Sequence, residues 1–258
     1  MKALFARKAL LGREALTLLT FLCLFTSSLW AQEPETRARR VGRERKVVST
    51  KPKPKAKPKV VTVADNKEAK ERLTTLGYWL TKTDESYRHA LIAFQKVQAL
   101  TPTGKLSLED LEVLRAARAP VAKEVQTLEE GKIRVEVDLR RQVLFVIDHE
   151  SNVTKVLSVS SGNGKEFSSE GFVRDAVTPP GRFKVYNKIK GWKKSALGML
   201  YYPNYYLSGL AIHGSAFVPA YPDSHGCVRV PMYAAEELYQ MMTIGTEVLI
   251  HSPVEAKE

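Results

Sequence analysis

A mainly antiparallel β-sandwich with few helices, spanning residues 132–252 and preceded by a small three-helix unit at residues 67–118, is the fold class this sequence predicts. Leucines and aromatics recur at helical spacing between residues 67 and 116. From residue 132 the period changes to apolar/polar alternation, broken by Gly- and Pro-rich turn clusters. A single further helix is legible, near the C-terminal end.

Residues 1–31 read as a secretory signal peptide: Lys2, Arg7, Lys8 and Arg13 precede an apolar run from Ala15 to Trp30, then Ala31-Gln32. Cleavage after Ala31 is expected; a retained leader is just long enough to act as a membrane anchor. Cys23 follows Leu22, where lipoprotein processing requires a small residue, so lipidation is not expected. Loss of the leader leaves Cys227 without an intramolecular partner, and an odd thiol in an exported protein points to reactivity.

The net charge is +12, of which +3 lies in residues 1–31 and +8 in residues 32–60, leaving +1 for the rest. The folded part is nearly neutral, which argues against nucleic acid as a partner, since such a fold displays its own basic face. Residues 32–66 form a basic linker centred on Lys51-Pro52-Lys53-Pro54-Lys55-Ala56-Lys57-Pro58-Lys59. Proline and like charge favour an extended, disordered segment, either a solvated spacer or a contact to an anionic envelope surface.

In the helical unit, Leu73, Leu76 and Leu80 share one face; Tyr87, Ala90, Leu91, Phe94 and Val97 another; Leu108, Leu111 and Leu114 a third. Gly77 ends the first helix, Gly104 lies in the turn before the third, and Ser107 with Asp110 starts that helix. Residues 119–131 read as a connector. Strands are expected around Ile133–Val137, Val143–Ile147, Val156–Val159, Phe183–Val185, Leu210–Ile212 and Val248–Ile250, and a helix over Pro231–Met242 with Gly245 just beyond it. The aromatics Trp192, Tyr201, Tyr202, Tyr205 and Tyr206 are either core anchors or a flap against a bound chain.

The chemistry concentrates in Ile212-His213-Gly214-Ser215 and Ser224-His225-Gly226-Cys227-Val228-Arg229. A thiol is mostly protonated near neutral pH, so a covalent catalyst needs a neighbouring imidazole to take its proton. His213, at the end of an apolar strand that runs into Gly214, is the candidate base. Gly226 permits an unusual backbone turn. The N–H groups of Gly226 and Cys227 are candidate oxyanion donors, with Ser224 organising the turn through its hydroxyl. His225 polarises the site, holds the loop or bonds the backbone. Arg229 either receives a substrate carboxylate or pairs internally with Asp223. A zinc site at His213, His225 and Cys227 is disfavoured, because His225 and Cys227 are only two residues apart and no second cysteine lies nearby. No cofactor or metal is expected.

Residues 132–252 resemble the catalytic domain of the L,D-transpeptidases, the YkuD type. The resemblance rests on His213-Gly214, Ser224-His225-Gly226-Cys227-Val228-Arg229 and Thr178-Pro179-Pro180-Gly181 upstream. It implies a cysteine nucleophile at Cys227, a base at His213, peptidoglycan tetrapeptide stems as substrate and acylation by carbapenems. It also implies a role in peptidoglycan biosynthesis and cell-wall organisation. The acyl acceptor is left open between a second stem amine, water and an envelope-protein lysine. Leu76-Gly77-Tyr78, Ala90, Phe94-Gln95 and Gly104 resemble the three-helix peptidoglycan-binding domain, which implies contact with stem peptides or glycan; the alternative is a bundle that packs on the catalytic unit without binding sugar. Periplasm or cell wall is the expected location. A wall-binding protein without catalysis is the competing class.

Overall fold

The computed structural model describes residues 60–252 apart from 125 and 170. The segment read as signal peptide, and the segment read as basic linker up to residue 59, lie outside the described residues.

Three helices come first. α1 (Val63–Thr75) starts on a capping box: the Thr62 side chain accepts from the Asp65 N–H, and the Asp65 carboxylate accepts from the Thr62 N–H at 2.8 Å. This start lies inside the segment read from the sequence as linker. The box uses Asp where Glu or Gln is the stronger signal. α2 (Asp84–Val97) is capped by Thr83, and α3 (Leu108–Ala116) by the expected Ser107–Asp110 box.

Twelve strands and one helix follow: β1 (Arg134–Asp138), β2 (Val143–Ile147), β3 (Val153–Ser158), β4 (Glu166–Ser169), β5 (Phe172–Asp175), β6 (Gly181–Lys184), β7 (Asn187–Lys188), β8 (Trp192–Ser195), β9 (Gly198–Leu207), β10 (Leu210–Ser215), β11 (Val228–Pro231), α4 (Met232–Met241) and β12 (Glu247–His251). One sheet runs β3-β2-β1-β12-β6 and the other β11-β10-β9-β7, with β8 paired to β9; β4 and β5 form a separate ribbon. Pairing is antiparallel except β1 with β12 and β10 with β11. Strands that the expected set lacked include β4 and β5, whose Phe172 and Val173 are exposed, and β11, which is part of the cysteine motif.

Between the sheets, Val135, Val137, Leu144, Val146 and Leu157 meet Ile212, Val228 and Val230, with Ala234, Ala235 and Leu238 of α4 closing the layer. Strand side chains alternate faces, so Val143, Phe145 and Ile147 of β2 point the other way. There they share a second core with Leu73, Leu91, Phe94, Leu111 and Leu114 of the helices. This is why β2 reads as an unbroken apolar run: both its faces are buried. The segment after α1 also runs beside β3. The Val156 N–H donates to the Gly77 carbonyl at 2.9 Å, and the Trp79 N–H to the Val156 carbonyl at 3.0 Å.

β1 departs from its pattern. Its alternating Arg134, Glu136 and Asp138 look like a solvated face, yet all three are buried. The connector lies over them. Arg134 donates to the carbonyls of Gln126 and Glu124 and to the Glu136 carboxylate. Glu136 also accepts from the Lys123 N–H at 3.2 Å and the His251 ring at 3.1 Å, and Lys123 pairs with Asp138 at 3.1 Å. Each buried charge therefore has a partner, as burial demands.

Of the aromatic segment, Tyr206 is core and Tyr201 packs against it, Tyr202 is buried, and Trp192 is half exposed. The segment is thus mostly structural.

Candidate active site

His213 and Cys227 come together through the parallel β10–β11 pair. Ile212 lies opposite Val228 and His213 opposite Arg229. Continuing that register one step places Cys227 beside Ala211. Residues 211 and 213 share a face of β10, as 227 and 229 do of β11. The imidazole on β10 and the thiol, one residue before β11, therefore face the same side, offset along the chain by two residues. Both line a cavity of about 550 Å³, together with Ser224, His225 and Arg229. Its walls are two hairpins: Phe167, Arg174 and Val177 on one side, and Ser195 to Leu200 at the β8–β9 tip on the other.

His213 is buried, and its Nδ1 lies 2.9 Å from the Gly214 carbonyl. A carbonyl only accepts, so Nδ1 carries the proton and Nε2 keeps its lone pair. Gly214 itself turns away from the cavity. A Cβ there would sit 2.7 Å from the Ala235 Cβ and 3.0 Å from Tyr201, so glycine is required for β10 to lie against α4 and β9.

The turn before β11 is tightly organised. The Ser224 hydroxyl donates to the Cys227 carbonyl at 2.5 Å and accepts from the Gly226 N–H at 3.0 Å. The Gly226 N–H is therefore taken up inside the turn. Gly226 has φ +128, and a Cβ would fall 2.8 Å from the Val177 carbonyl, so this position excludes a side chain on both counts. The Thr178 hydroxyl donates to the Gly226 carbonyl at 2.7 Å and accepts from the Gly162 N–H at 2.9 Å. In a trans peptide the N–H points opposite to the carbonyl. Thr178 thereby fixes the direction of the Cys227 N–H. Thr178 carried a motif signal in the sequence but no role; only the fold shows what its hydroxyl holds.

Arg229 pairs with Asp223 at 3.0 Å while still lining the cavity. His225 is exposed, and its ring meets Phe167 edge-on with centroids 4.8 Å apart, joining the turn to the β4–β5 ribbon. Phe167 had no sequence signal, because ribbon and turn lie far apart in the chain.

Burial pushes His213 down to about 4, opposed by the Gly214 hydrogen bond and assisted by the Arg229 charge. Burial pushes the Cys227 thiol up, opposed by a backbone hydrogen bond from Ala211 and by Arg229. At neutral pH the resting pair is thiol and neutral imidazole. Among the described residues, no group of three or more His, Cys, Asp or Glu side chains is placed to hold a metal ion.

The family model of the YkuD L,D-transpeptidase catalytic domain matches residues 132–250. The solved L,D-transpeptidase from Xylanimonas cellulosilytica is 35% identical over 70% of this chain and 90% of its own, with a TM-score of 0.64. The L,D-transpeptidase from Stackebrandtia nassauensis is 23% identical over 72% of this chain and 90% of its own, with a TM-score of 0.45. No curated protein matches the chain. With a two-layer β fold, a cavity at the ends of β10 and β11, and the similarity to the Xylanimonas cellulosilytica enzyme, the chain belongs to the L,D-transpeptidase family and carries its YkuD-type catalytic domain.

Proposed function

We propose that this protein is a cysteine-dependent L,D-transpeptidase acting on peptidoglycan tetrapeptide stems. The observation that carries this reading is the placement of Cys227 and His213 facing the same side in one cavity, with the imidazole tautomer fixed by Gly214. His213 Nε2 takes the thiol proton as the sulfur attacks the carbonyl of the third stem residue. The Cys227 N–H stabilises the oxyanion. The carbon–nitrogen bond breaks, and D-alanine leaves with the proton from the imidazolium. The resulting thioester passes to an amine, whose proton His213 takes before the sulfur departs. Because the resting pair is neutral, His213 works as a general base during attack rather than as a standing counter-ion. The Arg229 guanidinium, one arm held by Asp223, suits the free carboxylate of a diaminopimelate stem.

A second stem amine as acceptor gives a direct cross-link, a protein lysine gives protein anchoring, and water gives an L,D-carboxypeptidase. Muropeptide analysis of treated sacculi reads donor and acceptor together. Trp192, half exposed on the hairpin that walls the cavity, supports a glycan contact beside the stem; quenching of its fluorescence by chitooligosaccharides tests this, and no response rejects it. The leader and basic linker support an envelope location, periplasm or cell wall, with the leader as anchor if uncleaved. N-terminal sequencing of the exported protein decides between cleavage and anchoring, and recovery in the cytosol alone rejects export.

The central test is intact mass after mixing with disaccharide-tetrapeptide. D-alanine release with a transient acyl adduct is expected, and Cys227→Ala abolishes both while remaining folded. Release that survives this substitution rejects Cys227 as nucleophile and leaves the wall-binding reading.

A further inference from the structure

Behind the Cys227 turn, a buried series of polar groups leads back to helix α2. The turn rests on residues 158–163. The Ser161 carbonyl accepts from the N–H groups of Asp223 at 3.0 Å and Ser224 at 2.9 Å. Ser160 exchanges two backbone bonds with Arg229, at 3.1 and 3.0 Å, and its hydroxyl donates to the Tyr221 carbonyl at 2.8 Å. The Asn163 N–H donates to the Ser224 carbonyl at 3.1 Å. The Thr178 hydroxyl adds one more bond, to the Gly226 carbonyl.

That floor is clasped from below by Gln142. Its amide oxygen accepts from the Ser161 N–H at 2.8 Å, and its amide nitrogen donates to the Ser161 hydroxyl at 2.8 Å and to the Leu139 carbonyl at 2.7 Å. Gln142 has φ +55, a conformation that a side-chain-bearing residue holds only when its surroundings impose it. Lys96 supplies part of that imposition. It reaches from α2 and donates to the Gln142 carbonyl at 3.0 Å, the Ser158 hydroxyl at 2.8 Å and the Val159 carbonyl at 3.3 Å. Burial lowers its pKa to about 7; in the protonated form its three N–H groups meet three acceptors. Lys96, Gln142, Ser158 and Ser161 are all buried, at 8%, 4%, 1% and 2% exposure. A buried ammonium is costly, and an apolar side chain would fill the same space without that cost. What the apolar side chain would not supply is direction: the three bonds fix where residues 142, 158 and 159 stand.

We propose that Lys96 and Gln142 are positioning residues for Cys227, so that the helical unit sets the geometry of the catalytic turn through Ser161. Lys96 orders the Gln142 backbone and the end of β3. Gln142 holds Ser161 by its N–H and by its hydroxyl. Ser161 fixes the N–H groups of Asp223 and Ser224, and with them the peptide that carries the thiol. Neither Lys96 nor Gln142 lines the cavity, so their effect falls on the arrangement of the site rather than on substrate contact. This inference rests on the thiol reading above.

The experiment uses the full chain and compares Lys96→Met with Leu91→Ala. Leu91 is a buried residue of the same helix in the helical core, without a bond to the floor. D-alanine release, iodoacetamide labelling of Cys227 and the melting temperature are measured for each. Lys96→Met is expected to lower kcat at least tenfold with KM within twofold, and to change the labelling rate by a similar factor. Leu91→Ala is expected to lower the melting temperature at least as much with kcat and labelling within twofold. Should Lys96→Met not fold, Ser161→Ala, which removes only the hydroxyl end of the clasp, is read in the same way. A variant with kcat and labelling within twofold of wild type overturns the inference, as does loss that tracks melting temperature equally in Leu91→Ala. Wild-type protein that releases no D-alanine rejects the underlying activity instead; the labelling ratio then still decides whether Lys96 positions the thiol.

Discussion

One carbonyl decides how His213 works. Because the Gly214 oxygen holds Nδ1–H, the lone pair on Nε2 is free, and burial keeps the ring neutral down to about pH 4. The thiol, raised above its ordinary value of 9.0, is protonated at rest. Labelling of Cys227 by iodoacetamide is therefore expected to climb steadily as pH rises from 6 past 9.0, without a plateau on the acid side. A plateau below neutrality would reveal a standing thiolate–imidazolium pair and reverse the assignment. With His213 as the proposed base, turnover requires the uncharged imidazole, and its acid limb is expected near 4 rather than at the usual 6.5. Cys227, His213 and the glycines could be picked out of the sequence because thiol chemistry needs those residue types in close succession. The hydroxyl of Thr178 could not, since its partner Gly226 lies 48 residues away. Nor could the engagement of the Gly226 N–H by Ser224, which depends on the turn's conformation rather than its composition.

The helices were legible where periodicity and capping agree. α3 begins on Ser107 with Asp110 as read, and α4 lies between Pro231 and Met242 as expected. β1 was legible in register but not in environment. A strand with Arg134, Glu136 and Asp138 on one face reads as half-solvated, and nothing local announces that Lys123, Glu124 and Gln126 bond to that face. Arg134 is the keystone of that cover: it bonds two connector carbonyls and Glu136 at zero exposure. Arg134→Met is expected to cost about 3 kcal/mol, because it leaves a buried carboxylate short of its cation and two carbonyls short of donors. Urea unfolding checks this. A loss under ~0.5 kcal/mol, the size of an ordinary surface change, would show that the connector contributes little.

At the scale of the whole molecule, β2 and β3 separate two hydrophobic layers. Val143, Phe145, Ile147 and Val156 belong to the helical side and Leu144, Val146 and Leu157 to the sandwich. Sequence reading divided the chain into a helical unit and a catalytic unit, because periodicity changes sharply between them. It had no means of seeing that one sheet serves both, since contacts between distant segments leave no local pattern beyond the unbroken apolar run of β2. Deleting residues 63–116 is expected to uncover that run and yield protein that aggregates or loses tertiary circular dichroism, with D-alanine release abolished. A soluble, cooperative and active fragment from residue 117 onward would show that the second layer is dispensable.

The cavity walls tell a different story from its floor. The imidazole stands on β10 and the sulfur in the turn that leads into β11, inside the main fold, whereas Phe172, Val173, Leu197 and Met199 on the two hairpins are exposed. Chemistry and selectivity are thus physically separable here. Exchanging either ribbon for one of different length or polarity offers a route to new acyl acceptors while the reacting atoms stay where they are.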